Sequence, residues 1–168
     1  MSATATGGGG SVNVSVTMGT NPNPGDLLIA VVTSIGTSGT AWSNITSVSD
    51  SQGDTYTLLG TTLAVYQNFA VYIASGVHGG ATTVTEQVGG LVPNGTIRVF
   101  EYRNIQPSSP VDAVNASTGF TTSTGIPTTY TPVGTMSITT TQANDLVVAV
   151  GFANSSLTIT GYTQRTTG

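Results

Sequence analysis

The stretch Ser11-Val-Asn-Val-Ser-Val-Thr-Met18 alternates polar and apolar residues along its whole length. In an extended strand this alternation puts the three valines and the methionine on one face, so the stretch predicts a half-buried β-strand. The next strand is of a different kind. Residues 26–33 contain an uninterrupted apolar run at 27–32, which predicts a strand that is buried on both faces or central in its sheet.

The rest of the chain repeats this pattern of short strands and turn residues. Turn signals recur about every 8–12 positions, and no segment has the periodicity of a helix. Further strands are predicted at 46–50, 54–59, 63–74, 82–87, 96–103, 111–117, 135–140, 145–153 and 157–163, with a Thr-rich mixture of edge strand and loop at 119–133. The pattern of about ten short strands predicts an all-β protein, an antiparallel β-sandwich of jelly-roll type.

The predicted core comes from the most apolar strands. Its members are Val12, Val14, Val16, residues 27–32, Val71, Ile73, Ile97, Val99 and residues 146–150. We expect residues 145–153 to form the second strongly buried strand, since Leu146 to Val150 are all apolar.

The composition excludes several classes of protein. The 168 residues suffice for one domain, and only 6% of them are charged, against about 25% in typical domains. Three basic residues and a net charge of -4 cannot neutralise a run of phosphates, so we expect no nucleic-acid partner. Because the chain has no cysteine, it has no disulfide and no Cys-ligated metal.

The abundance of small hydroxyl residues and glycine indicates where the protein works. It has 32 Thr, 17 Ser and 22 Gly, a composition typical of extracellular, cell-surface or virion proteins. The longest apolar run has six residues, far too few to span a membrane, and the first residues do not have the pattern of a signal peptide. Two histories fit: a signal was removed, or the protein leaves the cell inside a virus particle.

Seven short motifs, in this order, resemble a broad group of lectin-like β-sandwich domains found in bacterial secreted proteins and in phage tail and other virion proteins. They are Gly25-Asp-Leu-Leu-Ile-Ala-Val-Val, Val48-Ser-Asp-Ser-Gln-Gly-Asp-Thr-Tyr-Thr, Val71-Tyr-Ile-Ala, Phe100-Glu-Tyr-Arg-Asn-Ile, Ser109-Pro-Val-Asp-Ala, Thr140-Thr-Gln-Ala-Asn-Asp-Leu-Val-Val-Ala and Gly161-Tyr-Thr-Gln-Arg. The resemblance covers about residues 11–165. It implies a β-sandwich in an extracellular or virion setting, and it brings no catalytic residues.

The resemblance also implies a gap. Similar domains continue beyond the Gly-Tyr-Thr-Gln-Arg motif and add one or two strands there, so we expect the sandwich of residues 11–168 to leave an edge uncovered. Residues 1–10 are predicted to be a separate arm, with Ser2, Ala3, Thr4, Ala5 and Thr6 as a short strand and Gly7–Gly10 as a flexible hinge. An uncovered edge accepts a strand from another chain, so the arm or another segment is predicted to complete a neighbour's sheet. The alternative is an arm without fixed structure.

Few residues offer chemistry. The only histidine, His78, lies in a Gly-rich turn, and we expect it to have no catalytic role. We predict no cofactor; Ca²⁺ is the alternative, with Asp50, Asp54 and Asp112 as candidate ligands, because hard oxygen donors in loops suit it. We also expect Glu101 to pair with Arg103 or Arg165.

These observations favour a non-enzymatic structural subunit. We predict that it assembles with copies of itself into an extracellular filament, a surface layer or a virion component, through strand donation between subunits. The alternative is a carbohydrate-binding or adhesion module, in which Trp42 of a polar loop stacks on the sugar. A third class, a glycan-cleaving enzyme, would need Glu86 and Glu101 to meet in an open cleft.

Overall fold

The computed structural model describes residues 2–35, 45–64, 67–80, 82–114, 138–141 and 145–150. Within these residues the protein is all-β, and no helix capable of crossing a membrane occurs there. The six strands are β1 (Ser2–Thr17), β2 (Leu27–Ile35), β3 (Ile45–Asp50), β4 (Thr57–Ala64), β5 (Gln67–Ser75) and β6 (Thr83–Tyr102). Every pairing between them is antiparallel.

β1 and β6 form one long ribbon that is bent in the middle. The end of β1 pairs with the start of β6, Thr17 with Thr83, while the start of β2 pairs with the end of β6, Leu27 with Tyr102. A straight β6 would separate these two points by about 60 Å, but residues 18–26 between β1 and β2 reach only about 30 Å. The ribbon therefore folds over, and the register shifts between Gly8 and Asn13 of β1 mark the bend.

The bend turns one hydrogen-bonded network into the two packed layers of a β-sandwich. The larger layer has the order β1-β6-β2-β5-β4 and uses the first half of β1 and the second half of β6. The smaller layer has the order β1-β6-β3 and uses the other halves. The prediction of an antiparallel β-sandwich is confirmed at this level; the jelly-roll connections would involve residues outside those described.

The main core lies between the two layers. The smaller layer contributes alternate residues of its strands, because a strand places every second side chain on the same face. The two layers together supply Val14, Val16, Met18, Val48 and Val84, and Leu28, Ala30, Val32, Ala70, Tyr72, Ala74, Ile97 and Val99. Burial of each large aliphatic side chain contributes about 1.5–3 kcal/mol, so this core is enough to hold the layers together.

The opposite face of the larger layer carries a second apolar cluster. Its buried members are Leu27, Ile29, Val31 and Ile73, with Phe69, Phe100 and Tyr102 partly buried around them. β2 is therefore buried on both faces, as its uninterrupted apolar run predicted: residues 27–32 are all at most 6% exposed.

Some predicted strands have different boundaries. The strand predicted at 63–74 is wrong, because the chain reverses there and Ala64 pairs with Gln67 across the β4–β5 hairpin. The strands predicted at 82–87 and 96–103 are one strand, β6. Residues 2–10, predicted to be an arm, belong to β1 in the structure, and residues 2–8 pair with β6 of the same chain.

The largest correction concerns residues 145–150. They were predicted to be a buried strand, but they belong to no strand, and Leu146 to Val150 are all exposed. Residues 111–114 and 138–140 are likewise not strands. The predicted strand at 157–163 and the Thr-rich segment at 119–133 lie outside the described residues.

Candidate functional site at one end of the sandwich

Four loops meet at one end of the sandwich. They are residues 18–26, 51–56, 76–80 and 103–110, and we call them together the loop end. Two backbone hydrogen bonds join the first loop to the third: Gly25 N–H donates to Val77 O at 2.8 Å, and Val77 N–H donates to Asp26 O at 3.2 Å. Ser51 N–H donates to Thr83 where β6 begins, which brings in the second loop. Because the ribbon is bent, both ends of β6 lie here.

The loop end concentrates the scarce charge of the chain. Asp26, Asp50, Asp54 and Glu101 are four of the seven acidic residues, and they are joined by Arg103 and the only histidine. In a protein with 6% charged residues, this grouping makes the loop end the larger cluster of charged side chains among the described residues; Asp112 and Asp145 form a smaller one elsewhere.

Asp50 organises the turn between β3 and β4. Its Oδ1 accepts the backbone N–H groups of Gln52 and Asp54, at 2.9 and 3.1 Å, as Asp does in turns. Its Oδ2 accepts the hydroxyl of Tyr56 at 3.2 Å. Burial and the neighbouring carboxylates raise the pKa of Tyr56, so it remains a neutral donor to Asp50. Both oxygens of Asp50 are thus already used within the fold.

Asp54 and His78 connect this turn to the third loop. Asp54 Oδ1 accepts the backbone N–H of His78 at 2.9 Å and lies 2.6 Å from its ring Nδ1. The carboxylate is buried, with 5% of the side chain exposed, whereas the imidazole is 73% exposed. The pair therefore holds the ring by Nδ1 and leaves most of it in solvent.

Arg103 connects two buried carboxylates at the fourth loop. Its Nε and Nη2 both donate to Glu101 Oε1 at 3.0 Å, and its Nε lies 3.6 Å from Asp26 Oδ2. Asp26 in turn accepts the backbone N–H of Asn23 at 2.9 Å. The prediction that Glu101 pairs with Arg103 is confirmed; Arg165 lies outside the described residues.

The first and third loops approach each other too closely for a side chain at Gly79. A Cβ there would lie 2.6 Å from Pro24 N and 2.9 Å from Pro22 O, and the backbone of Gly79 has a φ of +78°. The adjacent Gly80 N–H donates to Pro22 O at 3.0 Å. Glycine is required here for both contact and conformation.

The three candidate calcium ligands do not come together. Asp50 and Asp54 belong to the loop end, while Asp112 accepts the hydroxyl and backbone N–H of Thr141 elsewhere, bonds that hold its pKa below the usual range. Among the described residues no three His, Cys, Asp or Glu side chains form a group that could hold a metal ion.

Glu86 lies in the main core rather than in a cleft. Its side chain has 0% exposure, and neither carboxyl oxygen has a hydrogen-bond partner. Burial raises its pKa to about 8, so the carboxyl is protonated at neutral pH. The open cleft that a pair of glycosidase carboxyls would need is therefore not formed at Glu86.

The remaining predicted site residues have different positions. Ser2 to Thr6 pair with β6 between Phe100 and Thr96. Trp42, the candidate sugar-binding residue, lies outside the described residues. The sequence did not predict the loop end, although its turn residues, Asn21-Pro-Asn-Pro-Gly25, Asp50-Ser-Gln-Gly-Asp54 and Gly76-Val-His-Gly-Gly80, were all visible.

Comparisons with protein family models, with curated proteins and with solved structures found no match to the chain. The resemblance to lectin-like domains therefore remains a prediction from the seven motifs.

Proposed function

We propose that this protein is a non-enzymatic structural subunit that assembles with copies of itself by exchange of its N-terminal strand. The observation that carries the proposal is the position of residues 2–8. They pair with residues 94–100 of β6 and have no strand on their other side among the described residues. An outermost strand that is hydrogen-bonded on one side only is the element most easily moved to a neighbouring copy.

The junction next to this strand supports the exchange. Two register shifts separate residues 2–8 from the second half of β1, at Gly8/Ser11 and Ser11/Asn13. Irregular pairing contributes fewer ladder hydrogen bonds than regular pairing, and the run Gly7–Gly10 has the least restricted backbone of any sequence. Residues 2–8 are thus a regular strand joined by a deformable connection to the rest of β1.

Once the strand leaves, its place on β6 is an acceptor. Residues 94–100 remain paired with β2 on one side, between Ile35 and Ile29, and expose a row of backbone donors and acceptors on the other. The same segment from a second copy restores every hydrogen bond. Because donor and acceptor are different surfaces, exchange can run from copy to copy and produce a filament or layer.

The composition favours such contacts. Side chains with 6% charge and abundant hydroxyl groups need little charge desolvation when surfaces meet. On the smaller layer, Ser15 with Thr85 and Thr17 with Thr83 form hydroxyl pairs at 2.8 and 3.0 Å on an exposed face. We therefore propose an extracellular, cell-surface or virion setting.

The test compares the full chain with a variant lacking residues 2–10. Light scattering and negative-stain imaging should show large assemblies for the full chain and a monomer for the variant. Adding a synthetic peptide of residues 2–10 to the variant should restore the monomer's stability without restoring assembly. A full chain that stays monomeric at high concentration would refute the proposal.

A second candidate, a carbohydrate-binding module, is favoured by the loop end. Its loops gather polar side chains at the end of a sandwich, where exposed His78 and half-exposed Arg103 offer hydrogen-bond donors to a sugar. On a glycan array, His78→Ala or Trp42→Ala should weaken binding, while deletion of residues 2–10 should not. Under the structural proposal, deletion of residues 2–10 should abolish assembly, whereas His78→Ala and Trp42→Ala should leave assembly intact.

A further inference from the structure

Residues 145–150 have the side chains of a buried strand but are not part of one. Leu146, Val147, Val148 and Val150 are 48%, 43%, 39% and 36% exposed. In a strand, consecutive residues point to opposite sides, so as a strand this segment would be apolar on both sides. Exposing so much aliphatic surface is unfavourable, and it indicates a partner surface.

The start of the segment is fixed in position. Thr141 donates twice to Asp112, and the carboxyl group of Asp145 also hydrogen-bonds Asp112. Asp145 itself is only partly exposed. The exposed apolar residues 146–150 therefore directly follow an anchored residue.

The smaller layer has room for one more strand within the described part of the sandwich. The larger layer contains five strands, whereas the smaller layer contains three within the described residues. β3 packs over β2 and β5, and its second edge has no partner strand in the part of the chain that is described. No smaller-layer strand described here therefore lies opposite β4.

Leu58 of β4 is left exposed where this fourth strand of the smaller layer would lie. It pairs with Tyr72, a member of the main core, so both point to the face between the layers. Yet Leu58 is 46% exposed, while Tyr72 is 5% exposed. A fourth strand next to β3 would lie over this part of β4 and β5 and would cover Leu58.

We propose that residues 145–150 of one copy add to the free edge of β3 in a second copy, as the fourth strand of the smaller layer. This inference rests on the proposed function and names a second donor and acceptor for it. One side of the added strand would cover Leu58 and the core margin, and the other would lie beside the hydroxyl groups of Ser47 and Ser49, which are exposed on β3.

A second copy is the occupant that the structure favours over the same chain. Among the described residues of the single chain, neither residues 145–150 nor the second edge of β3 has a partner strand, and residues 145–150 are anchored at Asp112. Donor and acceptor are different surfaces, so the contact is heterologous and continues from one copy to the next. This is the geometry that the proposed filament or layer requires.

The test uses pairs of introduced cysteines. Because the chain has no cysteine of its own, any disulfide must join the introduced residues. Ser49→Cys is mixed with Val148→Cys or with Ala149→Cys, whose side chains point to opposite sides, so one of them reaches the side of Ser49. Oxidation should give a disulfide-linked dimer from one of these mixtures. Val114→Cys, at a residue 53% exposed, is the matched control and should give none with Ser49→Cys.

The outcomes separate this inference from the proposed function. No crosslink in either mixture, or a crosslink only inside a chain carrying both cysteines, overturns strand addition between copies. If wild-type chains still assemble in that case, the proposed function stands without it. Val148→Asp should reduce the assembled fraction at least tenfold, and Val114→Asp should leave it unchanged; equal assembly of the two variants also overturns the inference.

Discussion

Asp54 accepts both the backbone N–H and, from 2.6 Å, the ring Nδ1 of His78 on one carboxylate oxygen. This double contact ties the turn after β3 to the loop before β6. It uses a buried carboxylate to fix an exposed imidazole, so the two partners contribute unequally to stability.

We expect Asp54→Ala to destabilise the protein by about 1–3 kcal/mol, because it leaves a backbone donor without its acceptor. His78→Ala removes only the contact of an exposed ring and should cost less than about 1 kcal/mol. Urea unfolding followed by tryptophan fluorescence measures both. Equal losses for the two variants would show that the backbone contact is not the important one.

Arg103 should be far harder to replace than its half-exposed position suggests. Arg103→Ala leaves the buried carboxylates of Glu101 and Asp26 without their cation, and we expect a loss of about 2–4 kcal/mol. Arg103→Lys should recover only part of it, because one ammonium group cannot reproduce the two donors on Glu101. The matched control is Arg98→Ala, an exposed arginine of β6, the strand that ends just before Arg103; it should change the unfolding free energy by less than about 0.5 kcal/mol. Similar losses at both positions would contradict this account of the loop end.

Gly79 is predicted to tolerate no side chain. Gly79→Ala places a Cβ against Pro24 and Pro22 and strains a positive φ, so we expect a loss of at least about 1–3 kcal/mol in the free energy of unfolding. Gly19→Ala is the control within the same loop end, since a Cβ there meets nothing within 4 Å and the backbone is not left-handed. Thermal unfolding of the two variants decides the point, and a stable Gly79→Ala protein would mean that the first and third loops can separate at little cost.

Glu86 should make the protein less stable as pH rises. Its pKa in the folded protein is about 8, above the ordinary 4.5, so between these values the unfolded chain releases a proton that the native protein keeps. This group therefore lowers the free energy of unfolding by about 1.4 kcal/mol per pH unit across that window, and its effect is absent below it. Glu86→Gln should remove this slope.

Denaturant titrations of wild type and Glu86→Gln from pH 4 to pH 9 measure the slope directly. Asp112→Asn is the control, because the pKa of Asp112 is lowered and its titration lies below this window. Parallel pH profiles for wild type and Glu86→Gln would show that the carboxyl is hydrated or paired in solution.

Patterns local to the sequence predicted the elements whose burial depends on side-chain periodicity. The alternation around Val14 and Val16 and the apolar run at 27–32 both gave the correct burial, because a strand displays its residues with a fixed period of two. The pair Glu101–Arg103 was predictable from the strand expected at 96–103, where residues two apart share a face; β6 ends at Tyr102, and Arg103 reaches Glu101 from the first position after it.

The same reasoning failed where pairing decides the structure. The strand predicted at 63–74 is a hairpin, and residues 145–150, with the pattern of a buried strand, are exposed. An apolar run indicates that burial of the segment is favourable, but it does not specify which strand edge the segment pairs with. That depends on backbone hydrogen bonds to residues far away in the chain.

The sequence by itself determined an all-β protein with little charge and a strand at 27–32 that is buried on both faces, because composition and side-chain period are local properties. Only the tertiary structure decided that β1 and β6 bend into two layers, since the bend follows from how nine residues between β1 and β2 must connect the two ends of β6. The bend also brings Asp54 to His78 and Arg103 to Asp26, and it leaves one edge of β3 without a partner strand in the part of the chain that is described. These contacts join residues that are distant in sequence, and no local pattern encodes them.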